Sequence, residues 1–162
     1  MFSSCQKKPI ANTVIVDTKS MFDIADEGKF FGDDKDTVRS GLTVNGNDAI
    51  GRIWYTRNEH KDDTLRIKIY SFNEVYIHNY LIKVFKGKCI VDYRYEMDAD
   101  DASVDIDRKI ISTGYLVKLN SLDFKKGKEI RGYTEFRGKC VGRDCHGHAD
   151  IEIKGNFKIR IE

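Results

Sequence analysis

At 162 residues the chain has the length of one domain and can bury a substantial core. Hydrophobic residues at 40% and charged residues at 33% exclude a disordered polymer. The 28 Lys and Arg are interspersed with 26 Asp and Glu, so no basic face of the kind that binds nucleic acid is expected. No apolar run approaches the roughly 18 residues of a membrane-spanning helix.

The chain opens MFSSCQKK. Phe2, Ser3 and Ser4 precede Cys5, and Gln6, Lys7 and Lys8 follow it. A large apolar residue and two small ones before a cysteine resemble the end of a bacterial lipoprotein signal peptide. The resemblance implies that Cys5 is lipidated, becomes the mature N-terminus, and tethers the protein to a membrane of the cell envelope. It also implies a basic segment and then an apolar run of roughly 7–15 residues ahead of the cysteine; only Met1 and Phe2 of these stand in this sequence. The alternative is a fortuitous Ser-Ser-Cys in a cytoplasmic protein, whose four cysteines would then be free thiols.

Residues 5–12 (CQKKPIAN), which hold the only proline, Pro9, read as a short tether. Residues 13–162 read as a single β domain. Val14 and Val16 alternate with Ile15 and Asp17. In 18–27 (TKSMFDIADE), Thr18 or Ser20 could cap one or two helical turns that stop at Gly28. In 49–57, Ile53 and Tyr55 fall on one side, the expected core side, with Arg52, Trp54 and Thr56 on the other. In 64–70, Leu65, Ile67 and Ile69 oppose Arg66, Lys68 and Tyr70. The two-residue period recurs at 75–85, 89–97, 114–119, 129–136 and 150–161. Asn45-Gly46-Asn47, Lys86-Gly87-Lys88 and Lys126-Gly127-Lys128 are turn signals between these runs. Seven to nine short strands with little helix predict an antiparallel β-sandwich, with a lipocalin-like β-barrel as the alternative.

The stretch from Gly114 to Gly138, closed by IEIKGNFKIRIE, carries Phe124, Gly127, Lys128, Ile130, Gly132, Ile153, Gly155, Phe157 and Lys158. This pattern resembles small Bacteroidetes envelope lipoproteins of uncharacterised function, although an acidic residue is usual where Lys128 stands. The resemblance implies a β-sandwich and a lipid anchor. It supplies no activity and no catalytic residues.

The densest cluster of chemically capable side chains is GKCVGRDCHGHAD at 138–150. Thiolate and imidazole ligate zinc and copper, so Cys140, Cys145, His146 and His148 form a candidate metal set. Their spacing matches no standard structural zinc pattern. The simpler expectation is a hairpin loop with Cys140 and Cys145 bonded across it and both histidines at its tip. A cysteine nucleophile beside either histidine would also need a third group to orient the base. Cys89, at the head of the apolar run CIVDYRY, is expected to be a buried small hydrophobe. The acidic run Asp98, Asp100, Asp101, Asp105 and Asp107 lacks the spacing of a calcium loop and reads as solvated, as do Asp33, Asp34 and Asp36.

Trp54, of opposite parity to Ile53 and Tyr55, is expected to face outward. There it could stack on a sugar or bury a partner's side chain. The sequence thus predicts an envelope-anchored, non-catalytic binding or structural module without a cofactor, its protein or glycan ligand unspecified. The alternatives are a zinc- or copper-dependent protein built on the 140–148 loop, and a lipocalin-like carrier of an apolar ligand.

Overall fold

Alternating apolar residues become strands when one side of each run can be buried against another layer. The computed structural model describes residues 14–20, 38–44, 54–72, 76–97, 108–143, 145 and 150–161. These contain nine strands. They are β1 (Val14–Val16), β2 (Val38–Val44), β3 (Trp54–Lys61), β4 (Thr64–Phe72) and β5 (Tyr76–Phe85), then β6 (Lys88–Met97), β7 (Lys109–Leu119), β8 (Glu129–Val141) and β9 (Asp150–Arg160).

The hydrogen-bonded order is β1-β7-β8-β9-β2-β3-β4-β5-β6. β2 belongs to two sheets. Val38–Ser40 pair with β3, whereas Gly41–Val44 pair with β9. A strand that changes partners in this way turns a corner between packed layers. The result is an all-β sandwich: β6 and β1 remain the two ends of the ladder, and it is not closed into a barrel. All neighbouring pairs are antiparallel except β1 and β7, which run parallel from Val14↔Val117 to Val16↔Leu119. Parallel neighbours need a long crossover, and β2 to β6 supply it.

The inner faces follow the two-residue period. Leu65, Ile67 and Ile69 of β4 are buried, as are Tyr80, Ile82 and Val84 of β5 and Cys89, Val91 and Tyr93 of β6. Val117, Ile130, Phe136, Ile153, Phe157 and Ile159 face them from the other sheet. The layers meet through specific contacts. Tyr80 lies edge-on to Phe136 with centroids 6.0 Å apart, and Tyr93 packs on the same ring at 6.0 Å. The Tyr80 and Thr134 hydroxyls share a hydrogen bond of 2.6 Å, and the Tyr115 hydroxyl donates to the Cys89 carbonyl at 3.0 Å. Burial pushes the Tyr80 phenol far above its ordinary titration range.

β3 departs from the sequence expectation. Thr56 is buried, and it pairs with Ile69, a core residue. Directly opposed residues share a face, so the register with β4 turns Thr56 inward and reverses the expected parity of the strand.

Three connections gather at one end of the sandwich. β3 and β4 turn through Asp62 and Asp63 at φ 50° and 58°, and β5 and β6 through Lys86 and Gly87 at φ 47° and 73°. Both are two-residue hairpin loops with two successive positive φ values, the geometry that matches strand twist. The β7–β8 connection turns where the Lys128 amide donates to the Lys125 carbonyl at 3.1 Å, with Gly127 at φ 84°. Its Gly127 and Lys128 also exchange backbone bonds with Ile161, which fixes the loop to the end of β9.

The helix considered at 18–27 is not formed over its described part. Asp17 accepts hydrogen bonds from the Lys19 and Ser20 amides at 3.2 and 3.0 Å within a bend, and residues 21–27 lie outside the described residues. The Ser20 hydroxyl, first among several donors, holds the Asp17 carboxyl below its usual range.

Candidate functional site

Cys140 and Cys145 are joined by a disulfide with Cα atoms 5.7 Å apart. Its placement differs from the sequence expectation in one respect. The β8–β9 ladder ends at Lys139↔Asp150, one residue before Cys140, while Cys140 itself pairs with Ile110 of β7. The bond therefore ties the end of β8 to its own outgoing connection rather than crossing the hairpin stem. With both sulfurs in the bond, neither is available as a thiolate ligand. His146 and His148, with Asp144, lie outside the described residues. Among the described residues no group of three His, Cys, Asp or Glu is placed to hold a metal ion.

The bond spans a sequence separation of five, so its stabilisation through loop closure should stay below the ~3 kcal/mol of a 15-residue loop. Reduction should therefore lower the melting temperature modestly and leave the domain folded. Thermal denaturation with and without a phosphine reductant checks this; cooperative unfolding at room temperature on reduction would contradict it.

Cys89, the other cysteine among the described residues, is a free thiol and buried in β6. Burial pushes it up to about 11, which keeps it protonated and unreactive at neutral pH. Trp54 opens β3 opposite Ser71, but its side chain lies outside the described residues. The buried Thr56 removes the parity argument by which Trp54 was expected to face outward. Cys5 and the acidic runs at 33–36 and 98–107 also lie outside the described residues.

Sequence reasoning missed a cleft of about 640 Å³ at the end where the three connections meet. Its walls come from the β3–β4 turn (His60, Asp63), the β5–β6 turn (Lys86) and the β7–β8 connection (Leu122, Phe124, Lys126). Phe124 meets the His60 ring edge-on, with centroids 5.8 Å apart, and forms an apolar base. Asp123 is already engaged: it is ion-paired with Lys128 and lies 3.7 Å from Lys125. The Lys128 hydrogen bond, the largest influence, holds its carboxyl below the usual range. Lys86 and Lys126 are exposed and have no carboxylate partner among the described residues. The lysine-glycine turns were legible in the sequence. Their convergence depends on strand order, which the sequence does not display.

The chain is thus an all-β, two-sheet protein with a disulfide-pinned connection at one end and a lysine-lined cleft at the other. No protein-family model, curated protein or solved structure matches it.

Proposed function

We propose that this chain is a lipid-anchored module of the bacterial cell envelope, acylated on Cys5, whose β-sandwich binds or braces a partner without catalysing a reaction. The observation that carries the proposal is the Cys140–Cys145 disulfide. Such bonds persist in oxidising compartments and are kept reduced in the cytosol of most organisms. The MFSSCQKK segment supplies the address.

The remaining cysteines agree with this location. Of four, two are bonded and Cys89 is a buried thiol pushed up by desolvation. Cys5 is the fourth, and acylation would occupy its thiol.

Expressed in a bacterial host with its upstream reading frame, the protein should fractionate with membranes, and Cys5→Ser should move it to the soluble fraction. One acyl chain gives only marginal membrane binding, so the modification expected on Cys5 is more than a single chain. Wild-type protein recovered in the soluble fraction would overturn the proposal.

A further inference from the structure

We infer that the cleft end of the sandwich is a docking surface for an anionic phospholipid membrane, and that Lys86 and Lys126 are its principal contacts. The inference rests on the lipid-anchor reading and assigns which face of the domain lies against the bilayer.

Charge is the first argument. The three connections at this end, 62–63, 86–87 and 120–128, hold four lysines against three aspartates, and the strand residues Lys61 and Lys88 flank them. With Lys61 and Lys88 the excess at this end is three, against a net +2 for the whole chain. Lys125 and Lys128 are engaged with Asp123, and of the other four Lys86 and Lys126 are the two that line the cleft, where they can meet an external anion.

Attachment is the second argument. The Val14 amide donates to the Gly87 carbonyl at 3.3 Å, and Gly87 lines the cleft. The chain that would run back to Cys5 therefore joins the domain beside this surface. Eight residues lie between Cys5 and Val14, a reach of at most about 30 Å. A tether of that length lets this end reach the bilayer that carries the lipid.

The third argument is conformational. Lys86 sits at φ 47°, where glycine or asparagine is unstrained and lysine is not. A turn chosen only for stability has no reason to place lysine there, whereas a surface that needs a cation at the cleft rim does. Leu122, 39% exposed on the same rim, offers an apolar side chain to the acyl boundary. A basic surface beside an acyl anchor provides the second signal that stable membrane attachment requires.

The test uses the full chain carrying Cys5→Ser, so that no acyl group contributes. It is sedimented with vesicles of phosphatidylglycerol or of phosphatidylcholine, at low and at high salt. Binding to phosphatidylglycerol alone, weakened by salt, is expected. Lys86→Asn and Lys126→Gln should each weaken it by roughly five-fold. Lys86→Asn should melt no lower than the parent, because asparagine relaxes the turn, and this separates a binding role from a folding one.

Undiminished phosphatidylglycerol binding in the double variant, or equal binding to both vesicles, would overturn the inference. So would retention of soluble polyglutamate with neither vesicle bound, which would reassign the surface to an acidic protein. Failure of the anchor itself is read separately, as absence of lipid on Cys5 of the wild-type protein.

Discussion

Phe136→Ala should be the most damaging side-chain truncation in the sandwich, lowering stability by about 3–5 kcal/mol. Phe136 is buried on β8, and the two rings it meets, Tyr80 and Tyr93, both belong to the opposite sheet. Truncation removes packing between the layers and leaves a cavity that two aromatic side chains cannot fill without moving. Tyr80 is further restrained by its hydroxyl contact with Thr134, so collapse around the void is limited. In a domain of this size each kcal/mol corresponds to roughly 2–4 °C, so the melting temperature should fall by about 6–20 °C. Phe136→Leu, which retains much of the volume, should fall between the two. Equilibrium denaturation checks the series. A loss below about 1 kcal/mol for the alanine variant would show that the sheets are held together elsewhere.

The second large effect is expected at Gly132. This residue lies in one cross-strand row with Leu119 and Phe157. A Cβ at this position would stand 2.4 Å from Phe157 Cζ, 2.7 Å from the Lys118 carbonyl oxygen and 2.9 Å from Leu119 Cδ2. The phenyl ring is buried and the carbonyl is backbone, so neither can swing aside as an exposed side chain would. Gly132→Ala should cost about 3 kcal/mol, the upper part of the range for overpacking a core. Gly132→Ala combined with Phe157→Leu should recover part of that loss, because the nearest clash is removed. Denaturation of the single and double variants measures the coupling. Simple additivity would mean that the backbone contact, and not the ring, sets the penalty.

Gly132 and Phe157 also belong to the C-terminal pattern of glycines and apolar residues noted in the sequence. Other positions of that pattern have structural duties as well. Ile130 is buried, Gly127 makes a turn at φ 84°, and Phe124 packs against His60. In this chain each of these residues serves packing or a turn.

The strands most legible in the sequence were β4, β5 and β6, whose described side chains alternate between buried and more exposed positions. The Lys86-Gly87 hairpin was legible for the same reason, with glycine marking the second turn position. β2 was not legible. VRSGLTV has a glycine in its middle and few apolar residues, and it is a strand because its two halves serve different sheets.

The β3–β4 turn was also missed. Asp62 and Asp63 both adopt positive φ without glycine or asparagine to announce it. β7 was foreseen only from Gly114 onward, and the register shift between Ser112 and Gly114 accounts for the break in alternation. For β3, apolar Ile53 and Tyr55 suggested a core side that the pairing with β4 did not honour.

Among candidate site residues, the bonding of Cys140 with Cys145 was legible from spacing, because five residues of separation in a turn-rich segment bring Cα atoms within bonding distance. Which element the bond restrains was not, since that follows from where the β8–β9 ladder stops. The lysine-lined cleft was invisible for a more general reason. Its walls come from three separate segments between His60 and Lys126, and local patterns do not record which chain connections share an end of the fold.

Acylation of Cys5, as proposed above, would anchor this disulfide-containing sandwich to a membrane. The most direct measurement is mass spectrometry of the N-terminal peptide from protein isolated from host membranes. The account predicts a peptide that begins at Cys5 and carries the mass of covalently attached acyl chains. An unmodified Cys5 thiol in a peptide that retains Ser3 and Ser4 would contradict it.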